Sequence, residues 1–335
     1  SLPIHPKEWY ESEKIDLISG VETIGIFPGK HSIMLADGRE VPYERLILTT
    51  GSHPYVPSLP GTDMEGDFTL RTAKDADMIL DIAAKGARCV CIGGGILGIE
   101  TAGALSARGV SVTMLESHPW LMPRQLNQKA GAMLEKHINR LGVKVEKNAK
   151  TKEIAGVGGV TGVSLADGRS IPCEMVLITT GVRPNTVLAR KAGLEVNNGI
   201  IVDNHLRTSQ PDIYAAGDVA EHNGQLYGSW AASQFQGAIA GLNCVGIPTQ
   251  FGGLPRSNTV KVLGLDLTSI GKFMPEDGSY LVVEEEGPST YVEFVFRDGK
   301  MVGAILLGHA ELAAPAKKAI EAGTDFSELL GGNPT

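Results

Sequence analysis

The chain has 335 residues, of which 42% are hydrophobic and 20% are charged, and its formal net charge is −8. This length predicts two or three domains, and the composition is typical of a globular protein with an ample core. The basic residues are scattered and no apolar run reaches about 18 residues, so we expect no nucleic-acid partner, membrane span or export, and predict a cytoplasmic location.

The N-terminal segment predicts a helix followed by β-structure. The stretch PKEWYESEK within Ile4–Ser19 is predicted to be helical and to lead into a strand over IDLIS. Residues 21–45 alternate apolar and polar side chains, with turns at Pro28-Gly29 and Asp37-Gly38, and therefore predict an antiparallel β-meander. A strand over Leu46–Thr50 is expected to follow.

A glycine-rich turn lies at the centre of the chain. Arg88–Ile92 is an apolar run typical of a buried parallel strand, and Gly93, Gly95 and Gly98 follow it with G-x-G-x-x-G spacing at the start of a helix. In such a turn the first glycine allows a tight bend, the second lets the backbone approach a pyrophosphate, and the third lets the helix pack close to the strand. The free N–H groups and the helix dipole then attract the phosphates.

An acidic residue ends the next predicted strand. Ile96–Arg108 is Ala-rich and predicted to be helical, and Val110–Leu115 is a second strand that closes with Glu116, 23 residues after the first glycine of the turn. An acid at that distance accepts hydrogen bonds from the adenosine ribose hydroxyls and repels a 2′-phosphate. Because Ser117 and His118 follow rather than arginines, the sequence predicts NAD rather than NADP. The predicted NAD-binding residues are Gly93, Gly95, Ile96, Leu97, Gly98 and Glu116.

The alternative to a nucleotide site is a mere glycine-rich turn, and the register of strand, turn, helix, strand and acid disfavours it.

The cysteines, at positions 89, 91, 173 and 244, are too few and badly spaced for a disulfide framework or a zinc site, and no metal site is predicted. Cys89 and Cys91 share one face of the predicted strand, which favours core packing over a redox pair.

The remaining elements follow in order. Ala73–Lys85 and Gln128–Leu141 are predicted helices, Val143–Val145 is a strand, and Lys150–Pro172 predicts a second meander. Beyond Pro248 the pattern predicts a separate α+β module. Its expected elements are strands Val260–Leu263, Leu281–Val283, Tyr291–Phe296 and Met301–Leu307 and a closing helix, Ala314–Ala322.

Two stretches of the chain repeat at an offset of 130 residues. Asp37-Gly38-Arg39 leads to Thr49-Thr50-Gly51, as Asp167-Gly168-Arg169 leads to Thr179-Thr180-Gly181. A glycine turn equivalent to that at Gly93 would precede the first stretch and fall outside the chain. Either the first of the two repeats has lost its nucleotide strand, or the chain is an N-terminally shortened piece of a longer protein. The second alternative is favoured, because an amputated parallel sheet would expose unpaired edges.

Taken together, these motifs resemble the pyridine-nucleotide flavoprotein family, the reductases with two dinucleotide-binding domains that are related to glutathione reductase. The resemblance covers almost the whole chain and is strongest to NADH:rubredoxin reductases and to the flavin domain of assimilatory nitrite reductase. The motifs that carry it are Thr49–Gly51, Gly93–Gly98 with Glu100, Trp120–Leu126, Thr180–Asn185 and Thr208–Asp218.

The resemblance implies FAD as well as NADH. Thr50 with Gly51 and Gly217 with Asp218 are then FAD-binding residues, and Asp218 accepts a hydrogen bond from a ribitol hydroxyl; a turn that caps a helix is the alternative reading of Asp218. The helix that opens near Trp230 and Ala231 would direct its N-terminus at the flavin, where its dipole stabilises negative charge on the reduced ring. Ordinary core packing is the alternative for Trp230.

The resemblance also implies residues near the nicotinamide. Glu100 is expected close to the nicotinamide and the flavin as the catalytic residue, with a polar cap or a salt bridge as its alternative role. Gly181 is expected to line the nicotinamide channel. Because the cofactors themselves carry out the hydride transfer, the protein would mainly position them.

The implied fold class is α/β, with two Rossmann-like three-layer domains that bind FAD and NAD(P), the first incomplete, and a small C-terminal α+β domain. The expected boundaries are 1–72 with 190–248 for the FAD-binding domain, 73–189 for the NAD-binding domain and 249–331 for the C-terminal interface domain. The expected function is an NADH oxidoreductase that passes electrons to an acceptor such as rubredoxin. The alternatives are an NADH oxidase or CoA-disulfide reductase with its cysteine outside this chain, and a non-catalytic NADH-binding fragment. A homodimer is also compatible with the family.

Overall fold

A computed structural model describes residues 4–254 and 257–327. The chain divides into two compact units, Ser1–His53 with Val182–Gly253 and Pro54–Gly181 with Leu254–Thr335. The outermost residues of the first and third predicted domains, 1–3 and 328–331, lie outside the described residues. The division into three domains stays a prediction.

The helices begin at residues that suit a helix start. Side chains of Thr72, Asn127 and Ser229 accept backbone N–H groups at the starts of the second, fourth and sixth helices. The third helix begins at Gly95, which has no side chain with which to cap it. Within the described residues the α-helices are α1 Lys7–Ser12, α2 Ala73–Ala83, α3 Ile96–Ser106, α4 Gln128–Arg140, α5 Val187–Lys191, α6 Trp230–Cys244 and α7 Ala310–Ala322.

The longest strands lie near the C-terminal end of the described residues. Within the same residues the strands are β1 Thr23–Phe27, β2 Ser32–Leu35, β3 Glu40–Pro42, β4 Leu46–Leu48, β5 Ser52–Pro54, β6 Asp67–Phe68, β7 Cys89–Ile92, β8 Val112–Leu115, β9 Val143–Glu146, β10 Thr151–Gly156, β11 Val160–Leu165, β12 Ser170–Pro172, β13 Met175–Ile178, β14 Val182–Pro184, β15 Ile200–Val202, β16 Ile213–Ala215, β17 Ala220–His222, β18 Ser257–Val262, β19 Leu265–Gly271, β20 Tyr280–Glu286, β21 Tyr291–Arg297 and β22 Lys300–Leu307.

The first unit combines the predicted meander with short parallel pairs. Strands β1, β2 and β3 form the antiparallel meander, β4 pairs in parallel with β16, and α6 packs against both of these strands. The strand predicted over IDLIS is wrong, because Ile15–Ser19 forms no strand and its side chains are exposed. A short apolar run becomes a strand only where a neighbouring strand takes up its backbone hydrogen bonds.

The second unit contains a parallel five-stranded sheet in the order β6-β13-β7-β8-β9. One face packs against side chains of α2, α3 and α4, and the other packs against the meander of β10, β11 and β12. Alternate side chains of β7 pack on opposite faces of the sheet. Those of Cys89 and Cys91 pack with the helices, and those of Val90 and Ile92 pack with the meander. The sheet is therefore the middle of three layers.

The second unit also contains an antiparallel sheet in the order β18-β19-β22-β21-β20, with α7 on one face. Side chains of its other face, among them Leu267 and Ile305, share a core with α3 and α4. The sequence prediction missed β19, because Thr268 and Ser269 are buried polar residues that interrupt its apolar pattern. No helix in the described part of the chain is both long and apolar enough to cross a bilayer.

Candidate functional site

The predicted nucleotide turn lies at the carboxyl edge of the parallel sheet. Ile92, Leu115 and Ile178 are level with one another in adjacent strands. The residues that follow them, among them Gly93 and Glu116, therefore meet at one edge. Ligands of open α/β sheets bind at this edge, outside the carboxyl ends of the strands.

Each glycine of the turn has its own structural reason. Gly93 has φ +118°, and a Cβ there would lie 2.6 Å from the carbonyl oxygen of Thr179. A Cβ on Gly98 would lie 2.1 Å from the carbonyl oxygen of Gly93, so only glycine lets the helix approach the strand. A Cβ on Gly95 would meet no atom within 4 Å, so the uncapped start of α3 has an open face. This arrangement fits a pyrophosphate held by backbone N–H groups.

The loop after β8, which in the sequence only contributes to the family resemblance, supports the same turn. The backbone N–H of Met122 donates to the carbonyl of Gly94 at 3.0 Å, and a Cβ on Gly94 would lie 2.6 Å from Cδ2 of Leu121. Leu121 and Met122 are fully buried. The signal available in the sequence was an apolar pair close behind the acidic strand end.

Glu116 is buried and its carboxylate is engaged on both oxygens. Oε2 accepts the backbone N–H of Gly94 at 2.9 Å, while Oε1 accepts the backbone N–H of His118 at 2.8 Å and lies 2.7 Å from His118 Nδ1. The side chain of Glu116 is only 8% exposed. The carboxylate therefore braces the glycine turn as well as occupying the position predicted for ribose recognition.

Thr179 ties the neighbouring strand to the turn. Its hydroxyl lies 3.1 Å from the carbonyl oxygens of both Ile92 and Gly93, to which it can donate. The next residue of the repeat, Thr180, donates its hydroxyl to the carbonyl of Tyr55 at 2.6 Å. Gly181 follows with φ +107°. The repeat in the sequence marked these residues, but only the structure shows that Thr179 holds the glycine turn.

The equivalent motif of the first unit makes a different set of contacts. The hydroxyl of Thr50 donates to the carbonyl of Asn185 at 2.9 Å, and the Asn185 side-chain amide donates back to the carbonyl of Thr50 at 2.7 Å. Gly51 has φ +66° and accepts the backbone N–H of Asn185 at 2.9 Å. Two motifs that the sequence places far apart are thereby joined.

The first unit also joins the Gly217-Asp218 motif to this region. The hydroxyl of Ser52 donates to Oδ2 of Asp218 at 2.8 Å, and Gly217 has φ +81°. The backbone N–H of Gly217 donates to Oε1 of Gln236 at 2.8 Å. Gln236 is fully buried, yet its Nε2 has no hydrogen-bond acceptor among the described residues. A buried amide donor left over beside this motif fits a site for a polar ligand such as FAD.

Trp230 and Ala231 form the first turn of α6, and both are exposed. Trp230 is 67% exposed, so the alternative reading of this residue as core packing is wrong. The hydroxyl of Ser229 caps the helix by accepting the N–H of Ala232. The remaining N–H groups of that turn are at the positive end of the helix dipole.

Glu100 lies on α3, and its carboxylate has a clear structural contact. Oε1 accepts the backbone N–H of Leu263, in the turn between β18 and β19, at 3.2 Å. This contact corresponds to the polar cap that was the alternative role for Glu100. Its expected place near the nicotinamide stays a prediction.

Three cysteines of the second unit, Cys89, Cys91 and Cys173, are buried. Sγ of Cys89 and Sγ of Cys91 are 3.9 Å apart, and the contact with Cys91 together with burial raises the pKa of Cys89. Burial raises the pKa of Cys173 to about 11. Since the thiolate is the reactive form, Cys89 and Cys173 are poorly suited to redox exchange. The described residues contain no group of three or more His, Cys, Asp or Glu side chains arranged to hold a metal ion.

The structure thus collects the predicted residues in two groups. Gly93, Gly95, Ile96, Leu97, Gly98, Glu100, Glu116 and Gly181 belong to the second unit, and Thr50, Gly51, Gly217, Asp218, Trp230 and Ala231 belong to the first. Five further residues support these sites without having been predicted from the sequence to do so: Leu121, Met122, Thr179, Ser52 and Gln236.

Comparisons with known proteins agree with this arrangement. Residues 6–237 match the model of the pyridine nucleotide-disulphide oxidoreductase family, and residues 257–324 match that of the rubredoxin NAD+ reductase C-terminal domain. The chain is 34% identical over 329 residues to a nitrite reductase [NAD(P)H] of Bacillus subtilis, covering 98% of this chain and 41% of that protein. It spans less than half the length of the nitrite reductases that it matches.

A rubredoxin reductase is similar over more of its length. The chain is 30% identical to the NADH-rubredoxin oxidoreductase of Clostridium acetobutylicum, covering 97% of this chain and 82% of that protein. The crystal structure of the NADH:rubredoxin oxidoreductase from Clostridium acetobutylicum superposes with a TM-score of 0.80 at 28% identity, covering 96% of this chain and 81% of that one.

These findings confirm the resemblance seen in the sequence and the expected α/β fold of the two-domain reductases with a C-terminal domain. Reductases of this kind use FAD and NAD(P)H. One family model covers well over half of the residues, and the C-terminal module matches a second model from related reductases. The chain therefore belongs to the pyridine nucleotide-disulphide oxidoreductase family.

Proposed function

We propose that the chain is a FAD-dependent NADH oxidoreductase that passes electrons to a small redox protein of the rubredoxin type. The observation that carries the proposal is the turn at Gly93–Gly98. Neighbouring backbone leaves no room for a side chain at Gly93 or Gly98, whereas a Cβ on Gly95 would meet no atom within 4 Å. When bound, the nicotinamide and the flavin supply the hydride chemistry themselves. The contribution of the protein is to bind and orient them.

In the second unit, backbone N–H groups of the turn and of Ile96 and Leu97 would hold the pyrophosphate of NADH. Glu116 would accept hydrogen bonds from the adenosine ribose hydroxyls. We assign Glu100 and Gly181 to the surroundings of the nicotinamide, with Glu100 also anchored to Leu263.

In the first unit, Asp218 and the amide of Gln236 would bind polar groups of FAD. Thr50 and Gly51 hold the strand end beside them through the contacts with Asn185. The positive end of α6, at Trp230 and Ala231, would stabilise negative charge on the reduced ring. We assign 1–72 with 190–248 to the FAD-binding domain, 73–189 to the NAD-binding domain and 249–331 to the C-terminal domain.

The C-terminal module supports rubredoxin as the acceptor, because residues 257–324 match the corresponding domain of rubredoxin reductases. A second candidate is electron transfer towards nitrite, since several relatives are named nitrite reductases. A homodimer is compatible with either candidate.

The cofactor part of the proposal is tested with the purified chain and added FAD. We expect flavin absorbance that is retained through gel filtration and bleached by NADH without oxygen. In Gly95→Val, the added side chain would occupy the open face of the turn, so we expect NADH affinity to fall by roughly ten-fold or more while the melting temperature is kept. Gly29→Val is the matched control, because a Cβ there also meets no atom within 4 Å. Unchanged NADH affinity in Gly95→Val would contradict the proposed site.

The acceptor part is tested by comparing rates of NADH-driven reduction. Rubredoxin, ferredoxin, CoA disulfide and oxygen are each offered to the flavin-loaded protein. Fast reduction of rubredoxin supports the proposal, whereas preferred turnover of oxygen or of the disulfide would favour an oxidase or a disulfide reductase. A colourless protein that still binds NADH would favour a binding module without flavin.

A further inference from the structure

The second unit contains a cavity of about 240 Å³ between α4 and one end of the antiparallel sheet. At that end β19 and β21 begin and β20 and β22 stop, since Tyr291 pairs with both Glu286 and Leu307. None of the lining residues belongs to the two groups of predicted nucleotide-binding residues. The volume is slightly below the range of about 300–1,000 Å³ that is typical of drug-sized ligands, so the cavity suits a small molecule.

One wall of the cavity is a single face of α4. Its four lining residues have the spacing i, i+3, i+4 and i+7, which places them on one side of the helix: Met133, Lys136, His137 and Arg140. Nε2 of His137 lies 3.1 Å from the carbonyl oxygen of Leu263, to which it can donate. This wall is therefore anchored to the turn that precedes β19.

The protein does not neutralise the two cations of this wall. The side chains of Lys136 and Arg140 are exposed and form no ion pair or hydrogen bond with any residue in the described ranges. By contrast, Lys129 at the start of α4 is paired with Glu284. Arg140 lies in the last turn of α4, where a cation also stabilises the helix itself. The position of both cations beside a cavity is what indicates a ligand.

The opposite wall combines apolar and polar side chains. Leu307 is fully buried and Leu265 is partly buried, and both belong with Met133 to the core that α4 shares with the sheet. The connection from β20 to β21 contributes Ser289 and Glu286, whose side chains are exposed and form no hydrogen bond or ion pair within the described part of the chain. The cavity thus joins an apolar surface to a rim with two positive charges, one negative charge and one hydroxyl.

We propose that this cavity binds a small monocarboxylate with a compact apolar body, such as an aromatic carboxylate. The planar guanidinium of Arg140 would donate two parallel N–H groups to the carboxylate. Lys136 and the hydroxyl of Ser289 would be further donors. The apolar body would cover Met133 and Leu265, which removes apolar surface from water. Binding in this cavity requires neither nucleotide.

The charges of the cavity favour a ligand with a single negative charge. The two cations are opposed by the carboxylate of Glu286 and by the partial negative charge at the C-terminal end of α4. A phosphate monoester carries about −1.5 to −2 charges at pH 7 and would therefore meet more repulsion than a carboxylate. Removal of the negative charge of Glu286 should tighten binding of the carboxylate.

The experiment uses benzoate as the probe, titrated calorimetrically into the full chain. We expect one site with a dissociation constant of roughly 1 mM or lower. Benzamide keeps the ring without the charge, and acetate keeps the charge without the ring, so each should bind more weakly by about five-fold or more. Phenyl phosphate should also bind more weakly than benzoate. Tighter binding of phenyl phosphate, or no saturable binding of benzoate up to roughly 10 mM, would overturn the proposal.

Substitutions then locate the site. Arg140→Gln and Lys136→Gln each remove a donor, and we expect benzoate to bind more weakly by roughly five-fold or more. Glu286→Gln should strengthen benzoate binding by about two-fold to five-fold. Lys318→Gln is the matched control, because it removes an exposed positive charge on α7 that does not line the cavity. Melting temperatures close to that of the unsubstituted chain exclude misfolding as the cause.

Two results would place benzoate elsewhere and overturn the site. One is equal benzoate affinity in Arg140→Gln and Lys318→Gln, and the other is competition between benzoate and NAD⁺, since the probe would then occupy the nucleotide site. Unchanged benzoate affinity in the presence of saturating NAD⁺ supports the cavity. If the chain binds benzoate with the expected effects of the variants but does not bind NAD⁺, the proposed function fails and the cavity site stands.

Discussion

Leu263 fills the space beside Gly103 on α3: a Cβ on Gly103 would lie 2.1 Å from Cδ2 of Leu263. The backbone of Leu263 is held on both sides, because its N–H donates to Glu100 and its carbonyl lies 3.1 Å from Nε2 of His137. The turn between β18 and β19 is thus packed against α3 and α4. The helix that starts at the glycine turn and the C-terminal sheet share one core.

Gly103→Ala should therefore destabilise the protein. Because the new methyl group meets the partly buried side chain of Leu263, we expect the free energy of unfolding to fall by about 1–3 kcal/mol in urea titrations. Gly237→Ala is the control, since a Cβ on this helical glycine of α6 meets no atom within 4 Å and the change should be neutral or stabilising. In the double variant of Gly103→Ala and Leu263→Ala, we expect a smaller loss of stability than the sum of the two single losses. A loss equal to or greater than that sum would contradict this packing.

The hydroxyl of Thr179 should matter for both stability and nucleotide binding. Thr179→Val keeps the shape but removes the donor to Ile92 and Gly93, so we expect a loss of about 1–2 kcal/mol and weaker NADH binding. Thr179→Ser retains the donor and should bind NADH nearly as the unsubstituted chain does. Calorimetric titration with NADH and urea unfolding measure the two effects. Equal NADH affinity in the Val and Ser variants would show that the hydroxyl does not hold the turn.

Glu116→Ala should weaken NADH binding and relax discrimination against NADPH. The change removes the expected acceptor of the ribose hydroxyls and also the acceptor of the Gly94 N–H group, so a loss of roughly ten-fold in NADH affinity is expected. Removal of the negative charge should improve NADPH binding relative to NADH. Dissociation constants for both nucleotides check this, with the exposed Glu276→Ala as control. An unchanged preference would refute NAD recognition by Glu116.

Glu293 should make stability depend on pH. Its side chain is buried, Oε2 accepts from the Asn127 amide at 2.7 Å, and burial raises the pKa of the carboxyl above its ordinary value of 4.5. A carboxyl with a raised pKa favours folding at low pH, and this contribution is lost as the pH rises through the folded-state pKa. The stability advantage of Glu293→Gln should therefore grow as the pH increases from 4.5 towards neutrality.

Urea unfolding of Glu293→Gln and of the unsubstituted chain at several pH values measures that difference. Glu276→Gln, which makes the same change on an exposed side chain, is the control. A difference that is constant with pH for Glu293→Gln would mean that the pKa of its carboxyl is the same in the folded and unfolded states.

The sequence was most informative where backbone chemistry alone dictates structure. The spacing of Gly93, Gly95 and Gly98 identified the turn, and the helix predicted from Ile96 does begin there. It was least informative for short segments such as Ile15–Ser19 and β19. In those, strand formation depends on a neighbouring strand or on burial of polar residues, which no local pattern encodes.

The sequence by itself determined the family, the glycine turn and the acidic end of β8, because glycine spacing and a strand-end acid are local features of the chain. Only the tertiary structure decided that Thr179 and Met122 hold the turn, that Glu116 is shared with Gly94 and His118, and that Glu100 is anchored to Leu263. These contacts join residues brought together by strand register and core packing, which depend on the whole fold.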